Sequence, residues 1–460
     1  MKLTYDRQAR IAGIGLVPWT RLGPERWFDE YKIAALYDWD LPHQSGMPEV
    51  VVLSTGRYGM PELEHLRTQQ LIETPEFQQM ALDRLPGYHF LTYKPVQPPS
   101  TLTDAGCRFI SMNQTLTQTL ENKAEFRQNF VDVGVPFPPY QIVERHAITA
   151  DAAGLRRLLG KREVAVMQDE QLSGGRGTFM IRSVDDLAKA LEAIERLRGG
   201  GRVVVSDKIE HVVERSVQCV ATRYGVFVGP LQKQIIAHPL LANLAVADGD
   251  RFCGGEISPT DPMASAYPAI RARAMRIGER LMQMGYRGIF GIDCLVDGGG
   301  KVFVLEINPR LTGMTPLLTM LYREGHDIPF YLLHILELSG MDYTIDDAFV
   351  DPAPPEGGLL ILHSQQPWRA RIIDSPSSGW YDPSSLTYQG KQCRLGNDQA
   401  GKLLLQQYTP PGFRLSPGGR LMCCFVHGRV LDDADHLLPE VQQSAQMLLQ
   451  RIKLERVEEV

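Results

Sequence analysis

The stretch that decides the reading is "VFVLEINPRLTG", residues 302–313. It opens as an apolar strand and then turns polar at every second position, with Glu306, Asn308 and Arg310. Strand side chains alternate between faces. The spacing therefore predicts that Val302, Val304, Glu306, Asn308 and Arg310 share one face, and Phe303, Leu305 and Ile307 the other. An acid, an amide and a cation pointing one way from a buried strand suggest a site, because charged side chains are rarely buried unless paired. Upstream, "GIFGIDCLVDGGG", 288–300, reads as the partner strand of a hairpin. Glycine tolerates the positive φ that a two-residue loop needs. With Gly299-Gly300 as that loop, Leu295 faces Val304 and Asp293 faces Glu306. Opposed Cβ atoms lie roughly 4.5–5.5 Å apart, and two carboxylates that close resist ionising together. Asp293, Glu306 and Asn308 thus form a set of hard oxygen donors suited to Mg²⁺.

The rest of the chain sets bounds on this site. It has 460 residues, 43% hydrophobic and 22% charged, an ordinary globular composition. That length suggests roughly two to four domains. A net charge of −6 argues against a nucleic-acid or anionic-membrane partner. The seven cysteines are odd in number and include no CxxC, which reads as reduced thiols in a cytoplasmic protein. The N-terminus, "MKLTYDRQAR", lacks an apolar signal core. No stretch approaches the roughly 18 apolar residues of a membrane span.

Residues 1–45 are aromatic and irregular, with their tryptophans read as packing anchors. Gly13 and Gly15 form a lone GxG with no third glycine, so a dinucleotide fingerprint is not supported. Short apolar runs from Glu49 predict a small α/β domain ending near 115. "TLENKAEFRQNFVDV" predicts a helix stopped by Gly134 and Pro136. Strands are predicted at 163–168, 178–182 and 202–207, and helices at 184–198, 265–284 and 434–452. "DPAPPE", 351–356, reads as a linker.

Within this frame, "QLSGGRGTFMI", 171–181, is a glycine-rich flap. The N–H groups around Gly174, Gly175 and Gly177 can close over phosphate oxygens, and Arg176 can add charge. No Walker A loop, GxxxxGK[ST], occurs in the chain.

Taken in order, Asn122-Lys123, Gly134-Val135-Pro136, Ser173 to Gly177, Glu214, Asp293 and Glu306-x-Asn308-x-Arg310 resemble the ATP-grasp superfamily. The likeness covers roughly residues 115 to 345. It implies an α/β (α+β) ATP-grasp fold with a pre-ATP-grasp domain at 1–115, the ATP-grasp domain at 116–350 and a small C-terminal α+β domain at 351–460. It also implies ATP and two Mg²⁺ ions as cofactors. Lys123 and the flap would hold phosphates. The hinge Asp207, Lys208, Ile209 and Glu210 would hold adenine, and Glu214 would lie near the ribose. Asp293, Glu306 and Asn308 would be metal ligands, and Arg310 would steady the reacting acyl centre. Lys233, Arg251 and Glu256 are further candidates for substrate contact. One position departs from the family. The second phosphate-binding lysine, on the strand before the flap, falls at Gln168. A charged hydrogen bond is worth roughly 1.5–3 kcal/mol against about 1 for a neutral one, on the order of tenfold in affinity.

The activity implied is an ATP-dependent ligase. A small carboxylate, an amino acid or related acid, is activated as an acylphosphate and joined to an amine, releasing ADP and phosphate. A ligase transferring the acyl group to a carrier-protein thiol is one alternative, and an ATP-binding regulator without turnover is another. A biotin-dependent carboxylase is disfavoured, because no segment reads as biotin-carrying. The partners implied are small-molecule carboxylate and amine substrates, with a carrier protein and a homodimer as further candidates.

Overall fold

The short apolar runs of the N-terminal part become the strands Ile11–Gly15, Tyr31–Ala35, Glu49–Val52, His89–Leu91 and Arg108–Ile110. They form one parallel sheet in a computed structural model that describes residues 1–36, 47–53, 67–172, 174–246, 249–347, 353–391, 395 and 401–457. Ile11–Gly15 lies between Tyr31–Ala35 and His89–Leu91, so the strand order reverses there. Sheets of this kind take ligands in the crevice beyond the carboxyl ends of the strands at such a reversal. The residues following Gly15 and Leu91 are therefore placed to line a site. Gly13 lies inside the first strand, where an added Cβ would stand 2.2 Å from the Tyr31 hydroxyl. The lone GxG thus permits close packing. Trp19 and Trp27 are buried with Phe28, Tyr331 and Leu333.

The segment read as one helix is two. Helix Gln114–Glu121 ends, Asn122 turns the chain, and helix Lys123–Phe130 begins. The Asn122 side chain accepts the N–H groups of Ala124 and Glu125, at 3.0 Å each. An N-cap of this kind competes with continuing the first helix. Lys123 is left as the first residue of the second helix. Gly134, at φ 67°, then carries the chain away.

A four-stranded antiparallel sheet follows, in the order Tyr140–Glu144, Arg202–Asp207, Ala165–Asp169, Thr178–Ile181. Leu187, Ala190 and Ile194 of helix Val184–Arg196 pack on its Ala165, Met167, Val203 and Val205. The flap joins the last two strands of that order.

The large sheet has ten strands. Val302–Asn308, Gly288–Asp297, Val212–Thr222, Gly225–Ile236 and Phe252–Ile257 come first. The sheet then runs on through Gly357–His363, Arg420–His427, Leu403–Gln407, Gly379–Tyr381 and Tyr388–Gly390. The C-terminal strands therefore extend the same sheet, through the pairing of Gly254–Ile257 with Gly357–Leu360. Helix Tyr267–Gln283 packs Ile270, Ala274, Ile277 and Leu281 on one face of the earlier strands.

The hairpin Gly288–Asn308 differs from its expected geometry in two ways that cancel. Its loop is Gly298-Gly299-Gly300, closed by Asp297 and Lys301, and only Gly300 has a positive φ, 80°. This is the three-residue loop with a left-handed third residue. Leu295 therefore faces Phe303, and Cys294 faces Val304. A bulge at Leu305 then shifts the register so that Asp293 faces Glu306 and Gly291 faces Asn308. Bulges re-aim side chains next to sites. Here the bulge puts Val302, Val304 and Ile307 together in the core under the long helix. Glu306 and Asn308 share their face with Phe303, and Val304 is on the other.

No helix among the described residues is long and apolar enough to cross a membrane. Cys107, Cys219, Cys253, Cys294, Cys423 and Cys424 are free thiols.

His334, on helix Phe330–Ser339, is fully buried, and its Nδ1 accepts the Ile289 N–H at 3.0 Å. Burial pushes its pKa down to about 3. The folded state thus holds it neutral, and the stability this gives is present above the unfolded pKa of about 6.5 and lost as pH falls towards 3. His334→Gln should flatten the loss of unfolding free energy between pH 7 and pH 5 by about 2 kcal/mol, read from urea melts at both values. Equal slopes in the two proteins would contradict this.

Candidate functional site

The polar face of the large sheet forms the floor of the site. Asp293 Oδ1 accepts the Gln234 amide at 2.6 Å, and its Oδ2 accepts the Asn308 amide at 2.9 Å. Desolvation, and then the charge of Glu306, raise the Asp293 pKa strongly, while those two amides oppose the rise. Glu214 stands further out on Val212–Thr222, opposite Leu295. Its carboxyl keeps contact with solvent, yet withdrawal from water and then Glu306 raise its pKa. No cation is paired with Glu214 among the described residues. Three carboxylates thus face one space, and the charge of Glu306 disfavours ionisation of Asp293 and Glu214.

Cations bracket that space. Lys123 is buried, with Nζ donating to Leu172 O at 2.6 Å and lying 3.6 Å from Glu306 Oε2. Its position is fixed from behind, where its N–H bonds Glu170 O at 2.8 Å and the Asn122 amide donates to Glu170 Oε2 at 2.9 Å. Arg202 ties Glu170 to Glu125, at 2.8 and 2.7 Å. On the other side, Arg310 Nε donates to Glu121 Oε1 at 2.7 Å and Nη2 to Asn308 Oδ1 at 3.0 Å. Asn308 is therefore clamped between Asp293 and Arg310.

The flap root borders the space through the Leu172 carbonyl that Lys123 bonds. Gly174 and Gly175 adopt φ 67° and 76°. A Cβ on Gly177 would meet Leu172 Cβ at 2.6 Å. Asp169 holds the flap root, accepting from the N–H groups of Gln171, Leu172 and Gly200 at 2.9, 2.8 and 2.9 Å. Arg176 sits in the flap turn, and Ser173 lies outside the described residues. Gln168 is half-buried on the strand leading to the flap.

The hinge connects the two sheets. Arg162 Nε bonds Asp207 Oδ1, and Lys208 pairs with Glu210 at 2.7 Å on the exposed side. Ile209 is half-buried between them. Lys208 and Glu210 thus satisfy each other, and Asp207 is satisfied by Arg162 from outside the hinge.

Two of the three predicted substrate residues, Lys233 and Glu256, are corrected. Lys233 and Glu256 oppose each other in register, on the face away from Asp293, because Lys233 is one residue out of phase with Gln234. Lys233 is 2% exposed, lies 3.6 Å from Glu256 and 3.2 Å from Asp435, and donates to Asp432 O at 3.0 Å. Glu256 accepts the Val430 and Leu431 N–H groups at 2.6 and 2.7 Å. Together they fasten the 429–435 loop to the sheet. Arg251 donates to Val246 O at 3.0 Å, across its own loop.

Other residues at the site were missed. Gln234 and Glu121 carry no motif of their own, and only pairing across the fold reveals them. Tyr93 and Lys94 follow strand His89–Leu91 at the reversal of the parallel sheet, which strand order would have signalled. Tyr93 donates to Thr312 O at 2.7 Å. Desolvation, and then Arg310, lower the Lys94 pKa. Beside Tyr93, Trp19, Thr20, Leu22, Leu311 and Thr315 line a cavity of about 30 Å³.

A family model described as an ATP-grasp domain matches residues 120–314, which span Lys123, the flap, the hinge and the carboxylate hairpin. Residues 120–314 thus match an ATP-grasp domain. The chain is 21% identical over 234 residues to the carbamoyl phosphate synthase large chain of Neisseria meningitidis serogroup B, covering 50% of this chain and 20% of that one. It is 27% identical over 165 residues to the [butirosin acyl-carrier protein]--L-glutamate ligase of Niallia circulans, covering 36% and 37%. The chain thus spans about a fifth of the length of the first of these relatives. Among solved structures, the fold is similar to the biotin carboxylase domain of Hydrogenobacter thermophilus 2-oxoglutarate carboxylase in complex with MgADP. The TM-score is 0.61 at 12% identity, over 98% of this chain and 92% of that one.

The corrected pair gives a test. Breaking a buried ion pair from one side costs roughly 3–5 kcal/mol. Lys233→Met should therefore lower the unfolding free energy by several kcal/mol while leaving nucleotide affinity within about twofold of wild type. Calorimetric titration of ADP at a temperature where the variant is folded checks the second half, and a large loss of affinity would return Lys233 to the cleft.

Proposed function

We propose that this protein is an ATP-dependent ligase that activates a small carboxylate as an acylphosphate and joins it to an amine. The observation that carries the reading is the opposition of Asp293 and Glu306 beneath the flap, with Lys123 at one end and Arg310 at the other. Two directly opposed carboxylates, beside the Asn308 amide, fit a divalent cation bound through hard oxygens. Asp293, Glu306 and Asn308 would hold Mg²⁺, which when bound supplies charge neutralisation for the nucleotide phosphates.

The residues of the chain divide the remaining work. Lys123, released from Leu172 O, would take phosphate oxygens under the flap. Adenine would lie against the hinge backbone 207–210, with Glu214 at the ribose. A substrate carboxylate oxygen attacks the γ-phosphorus, the bond to the β–γ bridging oxygen breaks, and ADP leaves. An amine then attacks the acyl carbon, loses its proton, and expels inorganic phosphate. Arg310 stands one step beyond the carboxylates, where it would steady both the acylphosphate and the tetrahedral oxyanion. The crevice past Gly15 and Leu91, with Tyr93, Lys94 and the Trp19 cavity beside it, is the place for the acid.

A second acceptor is supported by the likeness to a carrier-protein ligase. There the acyl group would pass to a carrier thiol and give a thioester.

The experiment is a screen of amino acids and small carboxylates, with and without amines or a carrier protein, reading ADP and phosphate and then product mass. An amide with equimolar ADP supports the first reading, and a carrier-dependent thioester supports the second. AMP with pyrophosphate contradicts the acylphosphate, and ATP binding without turnover across the panel leaves a regulator. Glu306→Gln should lower turnover at least about a hundredfold with folding kept, as removal of a transition-state charge ligand does. Activity equal to wild type at limiting Mg²⁺ rejects the metal assignment.

A further inference from the structure

Gln168, where the family resemblance places a lysine, has a structural counterpart one helical turn after Lys123. Arg127 is fully buried, with 0% exposure. Its Nη1 donates to Lys123 O at 3.0 Å and its Nη2 to Gln168 Oε1 at 3.2 Å. Its Nε has no acceptor. The guanidinium lies 5.5 Å from the Phe137 ring centre and 5.6 Å from that of Tyr140, which accounts for the aromatic residues after Gly134-Val135-Pro136. No carboxylate pairs with it among the described residues. Burial pushes its pKa down to about 10, which still leaves it charged at neutral pH.

Burying an ion without a counter-ion at ion-pair distance is costly. Two aromatic faces return only part of that cost. Glu306 acts on Arg127 from beyond ion-pair distance and offsets only part of the burial cost, which leaves the site short of an anion. Gln168 connects this cation to the space beneath the flap. Its carbonyl oxygen faces Arg127, and its amide nitrogen points the other way, 3.3 Å from Thr178 Oγ1 on the strand that leaves the flap. An amide whose oxygen accepts from a cation is a stronger N–H donor at its other end, because hydrogen bonds in series polarise one another.

We propose that Arg127 and Gln168 act as one unit that replaces the missing lysine, with the buried guanidinium supplying the charge and the Gln168 amide presenting it to the polyphosphate of the nucleotide. This rests on the nucleotide-binding reading above. Arg127 is a positioning residue that acts through Gln168. A lysine placed at 168 would point its ammonium at a buried guanidinium. The two positions therefore form a coupled choice, either Gln168 with Arg127 or a lysine at 168 with a neutral residue at 127.

The test is calorimetric titration of the full-length protein with MgADP and with adenosine, for Arg127→Met, Gln168→Lys, the double variant Arg127→Met/Gln168→Lys, and Arg127→Lys. Arg127→Met should weaken MgADP by about tenfold or more and adenosine by less than about twofold, since a charged hydrogen bond exceeds a neutral one by that margin. Gln168→Lys alone should also weaken MgADP. The double variant should return to within about threefold of wild type, a rescue that a merely structural arginine does not produce. If Arg127→Met does not fold, Arg127→Lys and the double variant carry the test. A folded double variant that binds MgADP near the wild-type level supports the unit, and one that is folded but does not bind overturns it. Arg127→Met equal to wild type, or Gln168→Lys alone binding more tightly, also overturns it. If wild type binds no adenine nucleotide, the nucleotide reading itself falls, and this inference falls with it.

Discussion

Everything at this site depends on one enforced proximity. The hairpin Gly288–Asn308 holds Asp293 directly opposite Glu306, on a half-buried face. Like charges so placed cannot both ionise freely unless a cation joins them. The fold accepts this conflict because hairpin register is set by backbone hydrogen bonds and core packing, which side-chain repulsion at one pair does not overcome. Val302, Val304 and Ile307, packed under the long helix, hold the register. Gln234 and Asn308 occupy the Asp293 oxygens with neutral donors, which orients the carboxyl without cancelling its charge.

The cations are kept at measured distances from this pair. Lys123 is 3.6 Å from Glu306 and bonds more closely to a carbonyl of the flap root. Arg310 is turned towards Glu121 and the Asn308 oxygen. Neither side chain is committed wholly to the carboxylates. In the proposed function, such partial engagement would let the cations exchange a protein oxygen for a phosphate or acyl oxygen without a large change of position. Preorganised charge of this kind costs little reorganisation at the moment of reaction.

A second, separate network joins the large sheet to its C-terminal extension. Arg215 binds Asp261 and Asp435, and Lys233 binds Asp435 and lies near Glu256. It lies on the opposite face of the strands that carry the site, so the two sets of charges are kept apart by the thickness of the sheet. The residues are of the same types as those in the cleft. Their different role follows from period two along a strand. One residue of phase separates Lys233, which is structural, from Gln234, which touches Asp293.

Much of this was legible in the chain before any coordinates. The strands around the flap, the long helix and the hairpin followed from apolar periodicity and from glycine and proline at the turns. Asp293, Glu306, Asn308 and Arg310 stand out because polar residues interrupt a strand where a core would continue, and Lys123 because its place matches the ATP-grasp pattern. Even the Asp293–Glu306 pairing was reached, although the loop has one more residue than assumed and a bulge at Leu305 compensates. Local signals reach that far because each depends on neighbours within one hairpin. They could not place Lys233 and Glu256, since a buried partner more than a hundred residues away in sequence, the 429–435 loop, decides where those charges point. Nor could they find Gln234, Glu121, Tyr93 or Arg127. Nothing in the composition around these residues is unusual, and each acquires its surroundings only when distant segments pack. Sequence by itself determined which backbone pieces form and which of them carry chemistry. Tertiary structure alone decided which charges meet, because desolvation and pairing are properties of the assembled interior.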